Sequence, residues 1–476
     1  MTMDSAKLRR QVAETWNETI IPALMDYIRI PAKSPHFDPD WEQHGYIEQA
    51  VQLAAGWCRQ QAPSGMKLEI QRLPGRTPLL FIEIPGTLPG AAEQPGVVLY
   101  GHLDKQPEFD GWREDLGPWD PVIQDGKLYG RGGADDGYAV FGSLAAIRAL
   151  HEQQVPHARC VIMIELCEES GSSDLQHYFE ALSRRIGEID LIVCLDAECG
   201  NYDQLWCTTS LRGNLVGTLS AEILTEGVHS GSGGGIVPSS VWILRQLLDR
   251  VEDLDNGDIK LRALQVEIPP RRLAQAREAA ETLGNTLWER FPFVAGAGPV
   301  TRDPVQLVLG NTWKACLEVT GASGFPPPSA AGNVLRPESR FKLSFRLPPT
   351  ADPEQAAQSV KQIFETDPPA GAKVTFTVES SMGGWDAPAL APWLSQAMSR
   401  ASRTHFGAEV RYMGTGGSIP FMDMLGRRFP RAQFLVTGLL GPHANAHGPN
   451  EFLHIETGKR LTACVAEVLA SHGEQR

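Results

Sequence analysis

The chain has 476 residues, a formal net charge of −14 at pH 7 and a hydrophobic fraction of 42%. Its length exceeds what one hydrophobic core usually supports, so we expect two domains. The acidic charge disfavours nucleic acid or an anionic membrane as a partner, and no segment is apolar for long enough to span a bilayer.

The N-terminus and the cysteines both indicate a cytoplasmic protein. The N-terminal segment runs from Met1 into Leu8-Arg9-Arg10 without an apolar stretch, so we predict no secretory signal. The eight cysteines show no Cys-x-x-Cys spacing, and several lie in apolar runs that are typical of strands. Such cysteines are usually small, reduced core residues of a protein in a reducing compartment.

The first part of the chain alternates helical patterns with short apolar runs. In chain order we predict helices at 5–30 and 41–61, strands at 67–71, 79–84 and 97–100, a helix at 138–150, a strand at 160–166, a helix at 173–184 and a strand at 191–195. Alternating buried strands and helices indicate an α/β fold, with a mostly parallel sheet covered by helices on both faces.

Histidine or acidic residues directly follow three of these predicted strands. His102 and Asp104 follow one strand and face the same side, because alternate residues of an extended backbone share a face. Glu168 and Glu169 follow a second strand, and Asp196 follows a third. Each could be an ordinary solvated loop, but ligands bind at the carboxyl ends of parallel strands. Imidazole and carboxylate groups at one edge suit zinc or manganese.

Another acidic pair, Asp135 and Asp136, follows the turn Gly130-Arg131-Gly132-Gly133. The glycines could suggest a phosphate-binding loop. However, Asp135 stands where a dinucleotide-binding motif requires its third glycine, and carboxylates repel phosphate. The turn therefore favours a metal site.

From about residue 211 the pattern becomes strand, helix, strand, strand, helix, strand, which is the order of a ferredoxin-like α+β domain. The predicted elements are strands at 214–223, 316–319, 340–347 and 374–379 and helices at 238–251 and from Asp352-Pro353, with an interrupting segment at 253–311. The loop residue His229 is flanked by glycines and is a candidate ligand-binding residue. We predict a discontinuous catalytic domain at 1–211 and 385–476, and an inserted domain at 212–384.

In series, these motifs resemble the dinuclear-metal aminoacylase/dipeptidase metallopeptidases. The motifs are His102-Leu103-Asp104, Gly130-Arg131-Gly132 with Asp135, Glu168-Glu169-Ser170-Gly171, Asp196, and Ala446-His447 with Asn450-Glu451. The carnosine and cytosolic nonspecific dipeptidase branch is more similar still, through Lys105-Gln106-Pro107, Asp110-Gly111-Trp112 and Gly417-Ser418-Ile419-Pro420. The resemblance covers nearly the whole chain.

The resemblance implies two divalent metal ions per subunit, most readily zinc, with manganese or cobalt as alternatives. The implied ligands are His102 and Asp196 for one ion, Glu169 and His447 for the other, and Asp135 as the bridge. His443 lies near His447 in the sequence, but the family spacing to Asn450-Glu451 favours His447. The resemblance also implies a cis peptide bond between Asp135 and Asp136.

The remaining roles also follow from the resemblance. Asp104 would orient His102, and Glu168 would be the general base for a dimetal-bound hydroxide. His229 would stabilise the oxyanion in the active site of the partner subunit, so the inserted domain would serve as lid and dimerisation domain of a homodimer. The substrate carboxylate would be held by Arg346 and Ser418.

Two positions depart from the branch. Gly137-Tyr138 stand where it usually has Lys-Gly, and Glu198 stands where it has an aromatic residue. We expect Glu198 to pair with the free ammonium of the substrate. The predicted function is a metal-dependent dipeptidase acting on small peptides with a free carboxylate. The alternatives are an N-acyl amino acid amidohydrolase on the same site and a catalytically silent binding protein, which the intact ligand set disfavours.

Overall fold

The structure, a computed structural model, describes residues 3–419 and 421–475. Pro420, the last residue of the Gly417-Ser418-Ile419-Pro420 motif, lies outside the described residues. The chain forms two compact units, Met1–Thr209 with Ala387–Tyr412 and Pro420–Arg476, and Ser210–Asp386 with Met413–Ile419. Among the described residues, no helix has the length and apolar character needed to cross a membrane.

The first unit contains a mixed six-stranded sheet. Its spatial order is Lys67–Gln71, Leu79–Ile84, Cys160–Glu165, Gly96–His102, Ile189–Cys194 and Gln433–Val436. Leu79–Ile84 runs antiparallel to both of its neighbours, whereas the last four strands run parallel to one another. Every residue of the central strand Gly96–His102 is buried, because the sheet is covered on both faces. The carboxyl ends of the parallel strands therefore meet at one edge.

Helices complete the first unit. They are Ser5–Thr15, Ile21–Ile28, Trp41–His44, Tyr46–Gln60, Tyr138–Gln153, Leu175–Ala181, Ser183–Ile186, Pro392–His405, Phe421–Arg428 and Ile455–Glu474. A small antiparallel sheet of Val122–Gln124, Lys127–Tyr129 and Phe452–His454 lies just before the last helix. That sheet fixes the chain next to the predicted metal ligand His447.

The second unit contains a four-stranded antiparallel sheet in the order Cys316–Ser323, Glu338–Leu347, Gly213–Glu222 and Lys373–Met382. Burial alternates along Gly213–Glu222, so one face is covered. Helices Ser240–Asp249 and Pro353–Glu365 pack with the sheet in one apolar core. The other elements are Val228–His229, Ser230–Gly233, Pro270–Leu283, Thr286–Glu289, Pro304–Thr312, Val334–Leu335 and Trp385–Asp386.

Three predicted helices differ from the helices in the structure. Two of them are each divided in two, and the third is shorter and irregular. The helix predicted at 41–61 is two helices, because Gly45 has a φ of +70° between them. The helix predicted at 173–184 is also two, separated at Leu182. The N-terminal helix ends at Ile28 rather than residue 30 and contains a π turn, Trp16–Ile20.

One short segment lies in a different unit from the one we predicted. The sequence predicts Met413–Ile419 in the catalytic domain, but it clusters with the second unit, which also extends two residues beyond each predicted boundary, to Ser210 and Asp386. The physical reason is local, since the Ser418 hydroxyl donates to the main-chain oxygen of Arg212 and the Arg212 guanidinium donates to Gly416 O at 3.2 Å. Ser418 therefore belongs with Arg212 in the second unit.

Candidate metal centre

His102 ends the central strand of the first unit and is almost fully buried. Its Nδ1 lies 3.0 Å from the main-chain oxygen of Asp104, which makes Nδ1 the protonated nitrogen. Nε2 then carries the lone pair and faces Asp135 Oδ1 at 3.3 Å and Asp196 Oδ2 at 4.0 Å. This orientation presents a metal-binding nitrogen to two carboxylates.

Asp104 holds two parts of the site together. Its carboxylate accepts hydrogen bonds from the main-chain N–H groups of Glu168, at 3.1 Å, and Glu169, at 2.9 Å. The same carboxylate lies 3.5 Å from His102 Nδ1. Asp104 thus fixes the turn Glu168–Ser170 relative to the imidazole, as a positioning residue would.

Asp135 lies between the two predicted histidine ligands. Its Oδ1 faces His102, and its Oδ2 lies 3.1 Å from Nε2 of His447. His447 Nε2 is also 3.3 Å from Glu169 Oε2. One carboxylate oxygen toward each imidazole is the arrangement expected of a ligand shared by two cations. His443 is exposed in the same loop.

The potential ligand atoms form two overlapping groups, each within 4.8 Å. One contains His102, Asp135 and Glu169, and the other contains His102, Glu168 and Asp196. Imidazole nitrogens with carboxylate oxygens suit a borderline divalent metal. Glu168 therefore lies near the Asp196 side of the centre, and its neighbour Glu169 lies on the His447 side.

The electrostatics of this cluster favour added positive charge. Burial raises the pKa of Glu169 to about 8 and that of Asp196 to about 6, and the charge of Asp135 adds to both shifts. Burial lowers the pKa of His447, but Asp135 and Glu169 outweigh it and raise that pKa to about 9. Groups so placed take up protons unless cations replace them, so the donor set fits divalent metal ions.

A hydrogen-bonded shell, which the sequence analysis did not assign, supports the ligands. Gln106 Nε2 donates to Glu169 Oε2 at 2.6 Å. Arg131 Nη1 pairs with Glu451 Oε2 at 2.6 Å, and both side chains are buried. Arg131 also donates to Gly448 O at 2.7 Å, so it joins the turn before Asp135 to the loop of His447. Such contacts join distant parts of the chain and leave no local sequence signal.

The departure at Gly137-Tyr138 has a packing explanation. A Cβ atom on Gly137 would approach the Tyr27 ring to 2.2 Å, so a larger residue would displace that ring. The Tyr138 hydroxyl donates to Leu195 O, directly before Asp196. The peptide bond between Asp135 and Asp136 is cis, as the resemblance implied.

Lys105, from the motif that resembles the dipeptidase branch, packs against the same tyrosine. Lys105 is fully buried, and its Nζ donates to the main-chain oxygens of Tyr27 and Ile30, both at 2.8 Å. The ammonium also lies 3.9 Å from the centre of the Tyr27 ring. Lys105 therefore satisfies carbonyls at the end of the helix Ile21–Ile28.

Arg346 and Ser418 lie in the second unit, with Arg212 as an additional cation. Arg346 is half-buried, and burial followed by the charge of Arg212 lowers its pKa. In the sheet register, Arg346 lies opposite Cys316 on one side and Asn214 on the other. The sequence analysis missed Arg212, although it follows the predicted boundary at residue 211 directly.

His229 is an exposed residue of the second unit. Its Nδ1 accepts a hydrogen bond from the main-chain N–H of Gly231 at 3.1 Å. The proton of the neutral ring therefore resides on Nε2, which is the nitrogen free to donate. Glu198, in the first unit, is half-buried and pairs with Leu440 in an isolated bridge, outside both groups of potential ligands.

Comparison with known proteins identifies the family. Residues 98–471 match the family model described as Peptidase family M20/M25/M40. The chain belongs to this family. As an M20 peptidase it is a peptide-bond hydrolase, and the His/Asp/Glu cluster is its candidate site for divalent metal.

Relatives of this M20 peptidase include proteins named as dipeptidases. It is 26% identical over 398 residues to a cysteinylglycine-S-conjugate dipeptidase of Corynebacterium striatum, covering 82% of this chain and 84% of the relative. It is 27% identical over 442 residues to the human Beta-Ala-His dipeptidase, covering 87% and 80%. These relatives support a metal-dependent dipeptidase function over the amidohydrolase alternative.

Solved structures share the fold over essentially the whole chain. The dipeptidase Dug1p of Saccharomyces cerevisiae superposes with a TM-score of 0.78 at 20% identity, covering 100% of this chain and 99% of that one. Human carnosine dipeptidase 1 gives a TM-score of 0.76 at 21% identity, covering 99% of both chains.

The two histidines of the C-terminal loop provide a matched test of the ligand set. We expect His447→Ala to lower metal affinity by at least about tenfold, since even residues that only support a metal ligand contribute that much. His443→Ala should retain the full metal content. Both rings are exposed, but it is His447 whose Nε2 lies near Asp135 Oδ2 and Glu169 Oε2. Mass spectrometric metal analysis after dialysis measures both. Metal loss in His443→Ala alone would reassign the ligand.

Proposed function

We propose that this M20 peptidase is a dipeptidase that binds two divalent ions, most readily zinc, and hydrolyses small peptides with a free carboxylate. The observation that carries the proposal is Asp135, with one carboxylate oxygen toward His102 and the other toward His447. Asp196 and Glu169 complete the two ends of this arrangement.

Two ions in these positions would lower the pKa of water and polarise the scissile carbonyl. The chain's own contribution is the proton transfer. Glu168 and Glu169 are neighbours on one short turn whose main-chain N–H groups are both held by Asp104. Glu169 faces His447, which leaves Glu168 to take the proton from water and deliver it to the leaving amine.

We assign substrate binding to side chains of this protein that would pair with the charged ends of a dipeptide. We infer that Arg346 and Ser418 hold the carboxylate, because Arg346 shares its surroundings with the cation Arg212. The Ser418 hydroxyl donates its one proton to Arg212 O, so it would turn this donor to the carboxylate when substrate binds. Glu198 is assigned to the substrate ammonium. Glu198 lies two residues beyond Asp196 and is half-buried, whereas its neighbours Ala197 and Cys199 are buried.

We infer that the second unit is a ferredoxin-like lid and dimerisation domain inserted into the catalytic domain. The strand order Cys316–Ser323, Glu338–Leu347, Gly213–Glu222, Lys373–Met382 and the two helices on one core support this. His229 of a homodimer partner would then offer its Nε2–H to the oxyanion of the transition state.

A reducing compartment, the cytoplasm, is the proposed location. None of the eight cysteines, all within the described part of the chain, forms a disulfide. Burial raises the pKa of Cys160 to about 12, so that thiol is an unreactive core residue. The formal net charge of −14 supports a small peptide rather than nucleic acid as its partner.

A substrate panel on metal-reconstituted protein tests the function. We expect hydrolysis of unblocked dipeptides and little hydrolysis of the matching N-acetyl amino acids, measured by release of free amino acid. The reverse preference would establish the N-acyl amino acid amidohydrolase. Absence of turnover on both, with metal bound, would establish a silent binding protein.

Replacing Glu198 separates ammonium recognition from catalysis. We expect Glu198→Gln to raise the KM of dipeptides by about tenfold, since a hydrogen bond to a charged group contributes about 1.5 kcal/mol. The kcat should change little, because Glu198 lies outside both groups of potential metal ligands. Steady-state kinetics on one dipeptide measure this, and an unchanged KM would remove Glu198 from the substrate site.

A further inference from the structure

A cavity of about 330 Å³ lies in the first unit, bounded by residues of three helices, Ser5–Thr15, Pro392–His405 and Ile455–Glu474. We call it the basic cavity. Its lining includes none of the residues assigned to the metal centre or to the substrate. Its charged lining residues are Arg9, Arg10, Glu456, Lys459 and Arg460.

The basic cavity has the opposite charge to the rest of the molecule. Four cationic side chains face one carboxylate, in a chain whose net charge is −14. Glu456 satisfies them only in part, because it lies 3.3 Å from Arg460 Nε and 3.9 Å from Lys459 Nζ and is itself 55% exposed. A concave site lined by one sign of charge concentrates counter-ions of the other sign.

His405 forms a buried part of the same cavity and supplies the second observation. The residue is only 6% exposed, yet its Nδ1 has no hydrogen-bond partner among residues 3–419 and 421–475. Nε2 lies 3.5 Å from Glu467 Oε1, which already accepts a hydrogen bond from Ser5 at 2.5 Å. Nε2 is thus the nitrogen that pairs with Glu467. Buried polar groups are nearly always paired, so the unpaired Nδ1 of a residue in the cavity wall points to a ligand.

We propose that the basic cavity binds a small polyanion carrying two or more phosphate or carboxylate groups. Arginine guanidinium groups bind both kinds of anion through paired hydrogen bonds. Arg9 uses one nitrogen on Thr404 O at 3.3 Å and retains further donors for a ligand. The cavity volume is at the lower end of the range for small-molecule sites, which suits a metabolite rather than a macromolecule.

The position of the cavity connects it to the C-terminal segment of the metal centre. Lys459 and Arg460 lie near the start of the last helix, Ile455–Glu474. That helix directly follows the strand Phe452–His454, which itself follows Glu451, the partner of Arg131. A bound polyanion therefore neutralises charge on the helix that anchors the His447 loop.

Calorimetric titration of the metal-loaded protein tests the proposal with two anionic probes and one neutral probe. Fructose 1,6-bisphosphate represents phosphate esters, tricarballylate represents polycarboxylates, and fructose is the neutral control. We expect at least one anion to bind with a dissociation constant below about 1 mM, while fructose does not bind. The anion that binds more tightly shows whether the cavity prefers phosphate esters or polycarboxylates.

Paired surface variants locate the binding. Arg9→Gln with Arg460→Gln should raise the dissociation constant by at least about tenfold, since each removes a hydrogen bond to a charged group. Arg72→Gln with Arg427→Gln is the matched control. It removes the same charge from exposed arginines that pair elsewhere, with Glu48 and Asp423. All variants should retain basal dipeptidase activity and metal content.

The possible results separate a built site from general attraction. Equal affinity in the wild type and both variants would place the anion elsewhere, the metal centre included, and would overturn the proposal. Binding of neither anion below about 1 mM would overturn it as well. A loss of anion affinity that is confined to the Arg9→Gln/Arg460→Gln variant supports the proposal.

Discussion

Glu168→Ala is expected to lower kcat by about 100- to 10,000-fold while metal content stays at the wild-type value. The magnitude is that of a lost general base. Glu168 and Glu169 follow the same strand, but Glu169 faces His447 and accepts from Gln106. Metal analysis and steady-state kinetics on the same preparation measure both quantities. Glu168→Gln should behave similarly, because an amide cannot accept the proton.

Glu169→Gln is the matched control for that result. It changes the neighbouring residue in the same way but removes a carboxylate oxygen 3.3 Å from His447 Nε2. We expect it to lose metal as well as activity. If Glu168→Gln lost metal and Glu169→Gln kept it, the two roles would have to be exchanged.

Mixing two inactive variants is expected to restore about a quarter of wild-type activity. Take Glu168→Ala and His229→Ala and let their subunits exchange. In a mixed dimer, the His229→Ala subunit keeps its own Glu168 and receives an intact His229 from its partner. Random pairing in a closed two-fold dimer makes half the dimers mixed, and each has one working site of two. Activity after exchange, relative to each variant alone, measures this.

The hydrogen bonding of His229 is consistent with the proposed role of its ring as a hydrogen-bond donor to the oxyanion. Gly231 N–H occupies Nδ1 of His229, so Nε2–H is available to an oxyanion, and losing such a donor costs about 100- to 1,000-fold in kcat. The matched control mixes Glu168→Ala with the double variant Glu168→Ala/His229→Ala, in which no site has a base. Recovery there, or none in the first mixture despite proven exchange, would contradict action across the dimer.

Much of the fold was predictable because the core strands are short apolar runs with polar residues at their ends. The strands Lys67–Gln71 and Leu79–Ile84 have their predicted bounds, and Cys160–Glu165 is one residue shorter than predicted. The helix break at Gly45 was missed, because a helical apolar pattern continues on both sides of it. The spacing of apolar residues does not reveal that one residue, here Gly45, has a left-handed backbone conformation.

The metal ligands of the candidate site were more predictable from the sequence than the residues that support those ligands. His102, Glu168 and Asp196 each follow an apolar strand, so their meeting at one edge follows from parallel pairing. The pairing of Arg131 with Glu451 joins residues 320 positions apart, and nothing in either neighbourhood indicates it. The contact between Ser418 and Arg212 likewise joins residues that are far apart in the sequence, and no local pattern indicates it.

The Arg131–Glu451 pair also sets the order of events during biosynthesis. At about 5–20 residues per second, roughly 15 to 60 s separate synthesis of Arg131 from synthesis of Glu451. A buried Arg131 without its counter-charge would cost several kcal/mol, so burial of the turn before Asp135 is unfavourable until Glu451 has been made. A nascent chain can therefore carry His102, Asp135 and Asp196 for many seconds without a closed centre. Because His447 and Glu451 both belong to the C-terminal segment, the full set of side chains around Asp135 can assemble only after that segment has been made.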